Sequence, residues 1–410
     1  MRRFSVLRRA VLLAAVAASV AAGLAADTTA EAHRASSVPV MRAYETRYYI
    51  IHSDLDDQAI QEAAARLTAM AEEYHERTNG FSGQIRSRLP FYLFGTRAGY
   101  AAAGGRPGSA GQYNGRTLKA LADKDNPDHV WRVVQHEAFH QFAREVIGGR
   151  LATWVNEGLA EYFGGGLWTG DHFLTGLVPP DRLARVKAMI AQDRLLPMGQ
   201  MLSLTDRQWL AAMSGRNYDQ AWSMVHFLVH AEAGRYRAGF EQFIKDASRG
   251  KSAPRAFAAR VTTDLGQFQD AYRRWWLSQG DDPTADRYAL AAIQTLTSFL
   301  ARADSRGQRF ADAEGFFQAG RAGQLQAAAG QRLPQRLLAG ALDKAPTLGQ
   351  WSLQGSDGPR LALTTPTGEL VGSFAADDGL VTAVQVDVRP GPIKPAASGP
   401  AGLRPSEQSP

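Results

Sequence analysis

Two short stretches constrain this chain more than any others: "VVQHEAFHQFA" at residues 133–143 and "TWVNEGLAEYF" at 153–163. On a helix, side chains four apart share a face, so His136 and His140 can grip one ion, with Glu137 directly after the first. A catalytic zinc takes three protein ligands and keeps a fourth position for water, so two histidines do not suffice. Chance alone supplies H-E-x-x-H in on the order of one chain per hundred at this histidine content. The second stretch offers what is missing. Glu157 and Glu161 are again four apart, so Glu157 can complete a His–His–Glu set. Glu161, one turn on, is placed to accept the free ring N–H of a ligand histidine. Gly148–Gly149 separates the two helices, and Gly158 is expected to let them approach closely. The chain also carries its own control, "HFLVH", with His226 and His230 at the same spacing and no following Glu. That pair reads as helix surface or core.

The surroundings predict an α+β protein. Residues 46–53 and 89–95 are β-branched and aromatic, hence strands, and between them Ile60, Ala64, Leu67, Met70, Ala71 and Tyr74 recur at helical spacing behind Asp56, a natural N-cap. A glycine-rich turn at 104–111 leads into "QYNGRTLKAL", an edge strand or hairpin. Helices are expected near 181–193, 205–213, 218–233, 236–248 and 264–278. The N-terminal lobe is thus a small mixed sheet with helices, followed by the metal-binding helix pair and a mainly helical lobe, together spanning 45–280. Residues 286–345 form a further helical segment. Residues 350–388 alternate strands with Asp-Gly and Pro-Thr-Gly turns, a small β-meander that must pack on something to be stable.

Both ends of the chain read differently. Residues 1–26 have a basic start, a short alanine-rich apolar run and small residues at Ala25 and Ala26, which is an export signal. Arg8 and Arg9 add a partial twin-arginine pattern. The expected localisation is therefore periplasmic or secreted, with no stable membrane insertion after signal cleavage. Residues 27–44 are a flexible lead-in and 389–410 a disordered, Pro/Gly/Ser-rich tail. The formal charge of +6 includes four arginines of the leader, leaving +2 without them, too mild to argue for nucleic acid as a partner. There is no cysteine, so an exported chain of this kind must rely on its core or on bound metal.

"HEAFH" followed by "WVNEGLAEYF" resembles the gluzincins, the thermolysin-like zinc peptidases whose third ligand is a Glu in an N-E-x-x-[ST/A]-[DE] helix. More narrowly, it is similar to bacterial exported proteins described as peptidase-MA-like, many of them of unknown function. The likeness covers roughly residues 45–280. It implies one Zn2+ per chain on His136, His140 and Glu157, with Glu137 as catalytic base and a peptide or protein as substrate. Tyr218, in "NYDQAWSMVHFLVHAEAG", resembles the tyrosine that begins a Y-[DE]-K-G helix in aminopeptidase N relatives and stabilises the oxyanion there. Here Gln220-Ala221 replaces the Lys-Gly. His172 is a second, weaker candidate donor. Aminopeptidases of this clan carry G-x-M-E-N on the edge strand, and Gly111-Gln112-Tyr113-Asn114 has no acid there, which favours an endopeptidase. Two other classes remain open: a non-enzymatic envelope binding protein on a metallopeptidase scaffold, and a zinc amidase acting on cell-wall peptides.

Overall fold

The computed structural model describes residues 41–391 except 124, 149–150, 212–213 and 356–357. The expected export signal, residues 27–40 of the expected lead-in and residues 392–410 of the expected tail lie outside those residues. The described chain divides into two compact units, one comprising residues up to Leu167 together with Phe173–Pro283, the other Trp168–His172 together with the chain from Thr284. The fold is α+β.

In the first unit five strands form one sheet: β1 (Arg42–Glu45), β2 (Tyr49–Ser53), β3 (Leu89–Phe94), β4 (Gly111–Tyr113) and β5 (Leu118–Leu121), in the order β1-β2-β3-β5-β4. β2, β3 and β5 run parallel, and the outer strands are antiparallel. Parallel neighbours need a crossover. Between β2 and β3 it is α1 (Asp57–Thr78), whose N-cap Asp56 accepts from the Ala59 amide at 2.9 Å. Its Ile60, Leu67, Met70 and Tyr74 are buried, one stripe of an amphipathic helix. The lead-in expected to be flexible as far as residue 44 is in part the strand β1. Its register against β2 pairs Arg42 with Ser53, and Arg42 donates to the Leu55 carbonyl at 2.8 Å.

The rest of this unit is helical: α2 (Arg97–Ala102), α3 (Pro127–Val146) and α4 (Thr153–Gly164), after which the chain carries two short paired strands, β6 (Leu167–Trp168) and β7 (Phe173–Leu174). There follow α5 (Pro180–Ala191), α6 (Met198–Ser203), α7 (Asp206–Ala211), α8 (Gly215–His230), α9 (Arg237–Ser248), α10 (Ala253–Arg260) and α11 (Leu265–Ser278). Aromatic side chains fill the space between them. Trp154 stacks on Phe243 with centroids 5.8 Å apart, and Trp222 lies 5.5 Å from Trp276. Trp154, Trp222, Trp276 and Tyr162 are all buried, as core residues should be.

The second unit contains α12 (Ala285–Ser305), α13 (Ala313–Arg321), α14 (Gln335–Leu348) and the antiparallel strands β8 (Gln350–Gln354), β9 (Arg360–Thr365), β10 (Gly368–Asp377) and β11 (Leu380–Pro390), in the order β11-β10-β9-β8. Asp378 and Gly379, both at positive φ, close the β10–β11 hairpin, the backbone that a tight Asp-Gly turn requires. The sheet buries Leu361, Leu363 and Leu370 against Ile293, Leu296 and Leu300 of α12. The first residues of the expected disordered tail are strand instead: Arg389 and Pro390 pair with Glu369 and Gly368.

Candidate metal centre

α3 starts at Pro127 behind Asn126, whose side chain accepts from the His129 amide. Val130, Val134, Ala138, Phe139 and Phe142 bury one face, leaving His136, Glu137 and His140 half-buried on another. Gln135 holds α3 to the end of α4, donating to the carbonyls of Gly164 and Gly166 at 2.9 and 3.0 Å. Gly164 lies where these helices approach each other, and a Cβ there would sit 3.4 Å from the His136 Cβ, an ordinary van der Waals separation. Gly158, expected in that role, faces α8 instead. A Cβ on it would meet the Ala221 carbonyl oxygen at 2.6 Å and Val225 at 2.8 Å. Glycine is needed there for the third helix of the site rather than for the first.

This packing brings three ligand atoms together. His136 Nε2 and His140 Nε2 are 3.1 Å apart, and Glu157 Oε2 lies 3.4 Å from the first and 3.6 Å from the second. Zinc at its usual ~2.0–2.1 Å from tetrahedrally arranged N and O ligands would set those ligands roughly 3.3 Å from one another. The donor types and the separations therefore both fit such an ion. Among the described residues this is the one His/Cys/Asp/Glu group of three or more that could hold a metal.

The surroundings orient the ligands. Glu161 Oε1 accepts from His136 Nδ1 at 3.1 Å, which leaves the Nε2 lone pair for a metal. The other Glu161 oxygen meets Arg182 Nη2 at 2.8 Å. Burial alone would raise the pKa of both glutamates. For Glu157 the hydrogen bonds from His136 and His140 outweigh it, and for Glu161 those from His136 and Arg182, so that each falls to about 2. His136 is the converse case: burial opposes its protonation, but Glu157 and Glu161 raise it to about 10 in the metal-free protein. His140 Nδ1 is buried and has no hydrogen-bond partner among the described residues.

Glu137 stands apart from the ligand group. Its Oε2 accepts from the Tyr113 amide of β4 at 2.8 Å, so the sheet's edge strand holds this carboxylate. In β4 the side chain of Gln112 secures the preceding loop, through the Gly104 carbonyl and the Arg106 amide. Tyr218 occupies the first turns of α8, its ring 6.4 Å from that of His136 and edge-on to buried Trp209 at 5.3 Å. Burial raises its phenol pKa, and the charges of Glu157, Glu161 and Glu137 add to the rise, so it remains a proton-bearing donor at neutral pH. His172 does not share this site's chemistry: its Nε2 lies 2.7 Å from the Val384 carbonyl, inside the second unit.

Sequence reasoning missed Arg182, Asp219 and the Tyr113 amide. A backbone N–H leaves no trace in the sequence. The two ionic residues, Arg182 and Asp219, belong to different helices and meet through long-range contacts alone.

Residues 130–252 match one family model. Its description is "Protein of unknown function (DUF1570)", and the match covers less than a third of the chain. It includes both histidines, all three glutamates, Arg182 and Tyr218. No curated protein matches this chain.

Proposed function

We propose that this chain is an exported zinc-dependent peptidase with His136, His140 and Glu157 as ligands and Glu137 as general base. The observation that carries the reading is the ligand triangle of 3.1, 3.4 and 3.6 Å with a non-ligating carboxylate one residue from its first corner. Zinc, when bound, would supply Lewis acidity towards a carbonyl oxygen and lower the pKa of water towards about 7. Glu137, fixed by the Tyr113 amide, accepts the proton of the attacking water and returns it to the leaving amine. Tyr218 donates its phenol proton in a hydrogen bond to the carbonyl oxygen as negative charge builds there. Glu161 keeps His136 in the Nδ1–H tautomer throughout. The absence of an acid in Gly111–Asn114, with Gln112 already committed to the neighbouring loop, supports endopeptidase over aminopeptidase action. Among the described residues no helix is long and apolar enough to cross a membrane.

The test is hydrolysis of casein and a peptide library by zinc-loaded protein, by protein treated with a chelator, and by Glu137→Gln. The reading expects cleavage inside the peptides, lost on chelation and in the variant, while the variant still binds zinc. Turnover in Glu137→Gln at the wild-type rate would remove the base, and no peptide cleavage by the zinc-loaded wild type would remove the peptidase.

A further inference from the structure

Arg182 lies where two parts of the site meet. Its Nη2 is 2.8 Å from Glu161 Oε2, and its Nε is 2.8 Å from Asp219 Oδ1, an ion pair in which the Nε–H is not aligned for a hydrogen bond. Glu161 holds the ring of His136, and Asp219 is the residue after Tyr218. A further contact runs from Nη2 to the Tyr218 carbonyl at 3.4 Å. The guanidinium lies over the Trp222 ring, 4.4 Å from its centroid, and only 12% of the side chain is exposed. A planar fork between two carboxylates, backed by an aromatic face, holds a geometry that a single ammonium cannot. Arg185, one turn further along α5, makes an instructive neighbour. It also pairs with Asp219, through Nε at 2.8 Å and Nη2 at 3.3 Å, but it is half exposed and its Nη1 goes to Asp181. Both arginines therefore hold α8, and Arg182 alone of the two reaches Glu161.

We infer that Arg182 is a positioning residue: by bridging Glu161 to Asp219 it fixes the ring of His136 relative to the helix turn that carries Tyr218. Removing it leaves Glu161 held on one side only, so the carboxylate can rotate and the imidazole with it. Its effect on turnover rests on the peptidase reading. Its effect on the ring does not.

The experiment uses metal-free, full-length protein with 15N-labelled histidine, in which the His136 Nδ1–H bonded to Glu161 is expected to exchange slowly and is assigned by its disappearance in Glu161→Gln. Arg182→Met is expected to speed its exchange about tenfold or more, and Arg185→Met to leave it within about twofold, given that outer partners of metal ligands matter by roughly 10–100-fold. Arg182→Lys, which keeps the charge and folds with the least disturbance, should behave like Arg182→Met because it cannot span both carboxylates. In the zinc-loaded protein the same two Arg182 variants should lower kcat by a similar factor with little change in KM. Unchanged ring-proton exchange in both Arg182 variants, or equal effects from Arg185→Met, would overturn the bridge. Full recovery by Lys would show that charge, not the fork, is what matters, and would overturn it too. The ring-proton arm needs neither metal nor substrate, so it decides the bridge even if no peptide is ever cleaved.

Discussion

The chain uses His-x-x-x-His twice, and the two pairs have opposite surroundings. On α3, His136 and His140 keep a sixth or less of their side chains exposed and turn their Nε2 atoms toward Glu157 Oε2. On α8, His226 is 1% exposed and lies among Trp222, Tyr162 and Trp276, while His230 Nε2 meets the Tyr162 hydroxyl at 3.1 Å. Helical spacing puts both pairs on a face. What differs is what stands opposite: α4 faces both pairs, with Glu157 and Glu161 toward the first and the Tyr162 ring toward the second, where Trp222 and Trp276 complete the surroundings. Spacing makes a metal site possible, and the carboxylate opposite it completes a ligand set.

Three substitutions or conditions sharpen that contrast. The largest effect should come from Glu157→Gln, which removes the one anionic ligand. It is expected to weaken zinc binding by more than about a hundredfold, beyond the 10–100-fold typical of outer partners, as read by competition with a chromophoric chelator. Retained affinity would return the α3 pair to the same class as the α8 pair.

The next effect is on pH. In the metal-free protein His136 is raised to about 10 by Glu157 and Glu161, well above its unfolded value near 6.5. Stability from that protonated cluster is therefore complete below about pH 6.5 and is lost as pH rises towards 10. Zinc needs the unprotonated nitrogen, so binding must displace this proton within the same window. Apparent zinc affinity should climb about tenfold per pH unit between pH 7 and 8.5, with about one proton released per ion, measurable by calorimetry in buffers of different ionisation enthalpy. A flat affinity across that range would contradict the charged cluster.

The smallest effect should be that of His226→Phe. It exchanges one buried ring for another and should shift unfolding free energy by less than about 2 kcal/mol, leaving zinc stoichiometry unchanged. Loss of zinc in this variant would mean that the α8 pair takes part in binding.

Much of this was legible in the residues and some was not, for physical reasons. The crossover helix α1 is readable because its long amphipathic period and its Asp56 cap are local signals, and α3 and α4 because their paired side chains recur four apart. The short helices α2, α6 and α10 run only six to eight residues, too few turns to set up a period. β1 leaves little trace in the sequence because a four-residue edge strand gains its order from its neighbour, not from its own composition. Gly158 signals close approach in the sequence but not that α8 is what approaches. The bridge at Arg182 joins α4, α5 and α8, and only the tertiary fold brings those helices together.

The most direct test is X-ray absorption at the zinc edge of the protein purified with its metal. The account predicts one zinc per chain, bound by two imidazole nitrogens and one carboxylate oxygen with a further light-atom ligand from solvent, at ~2.0–2.1 Å. A chain free of zinc after expression in zinc-replete medium, or a spectrum showing no imidazole ligands, would contradict it.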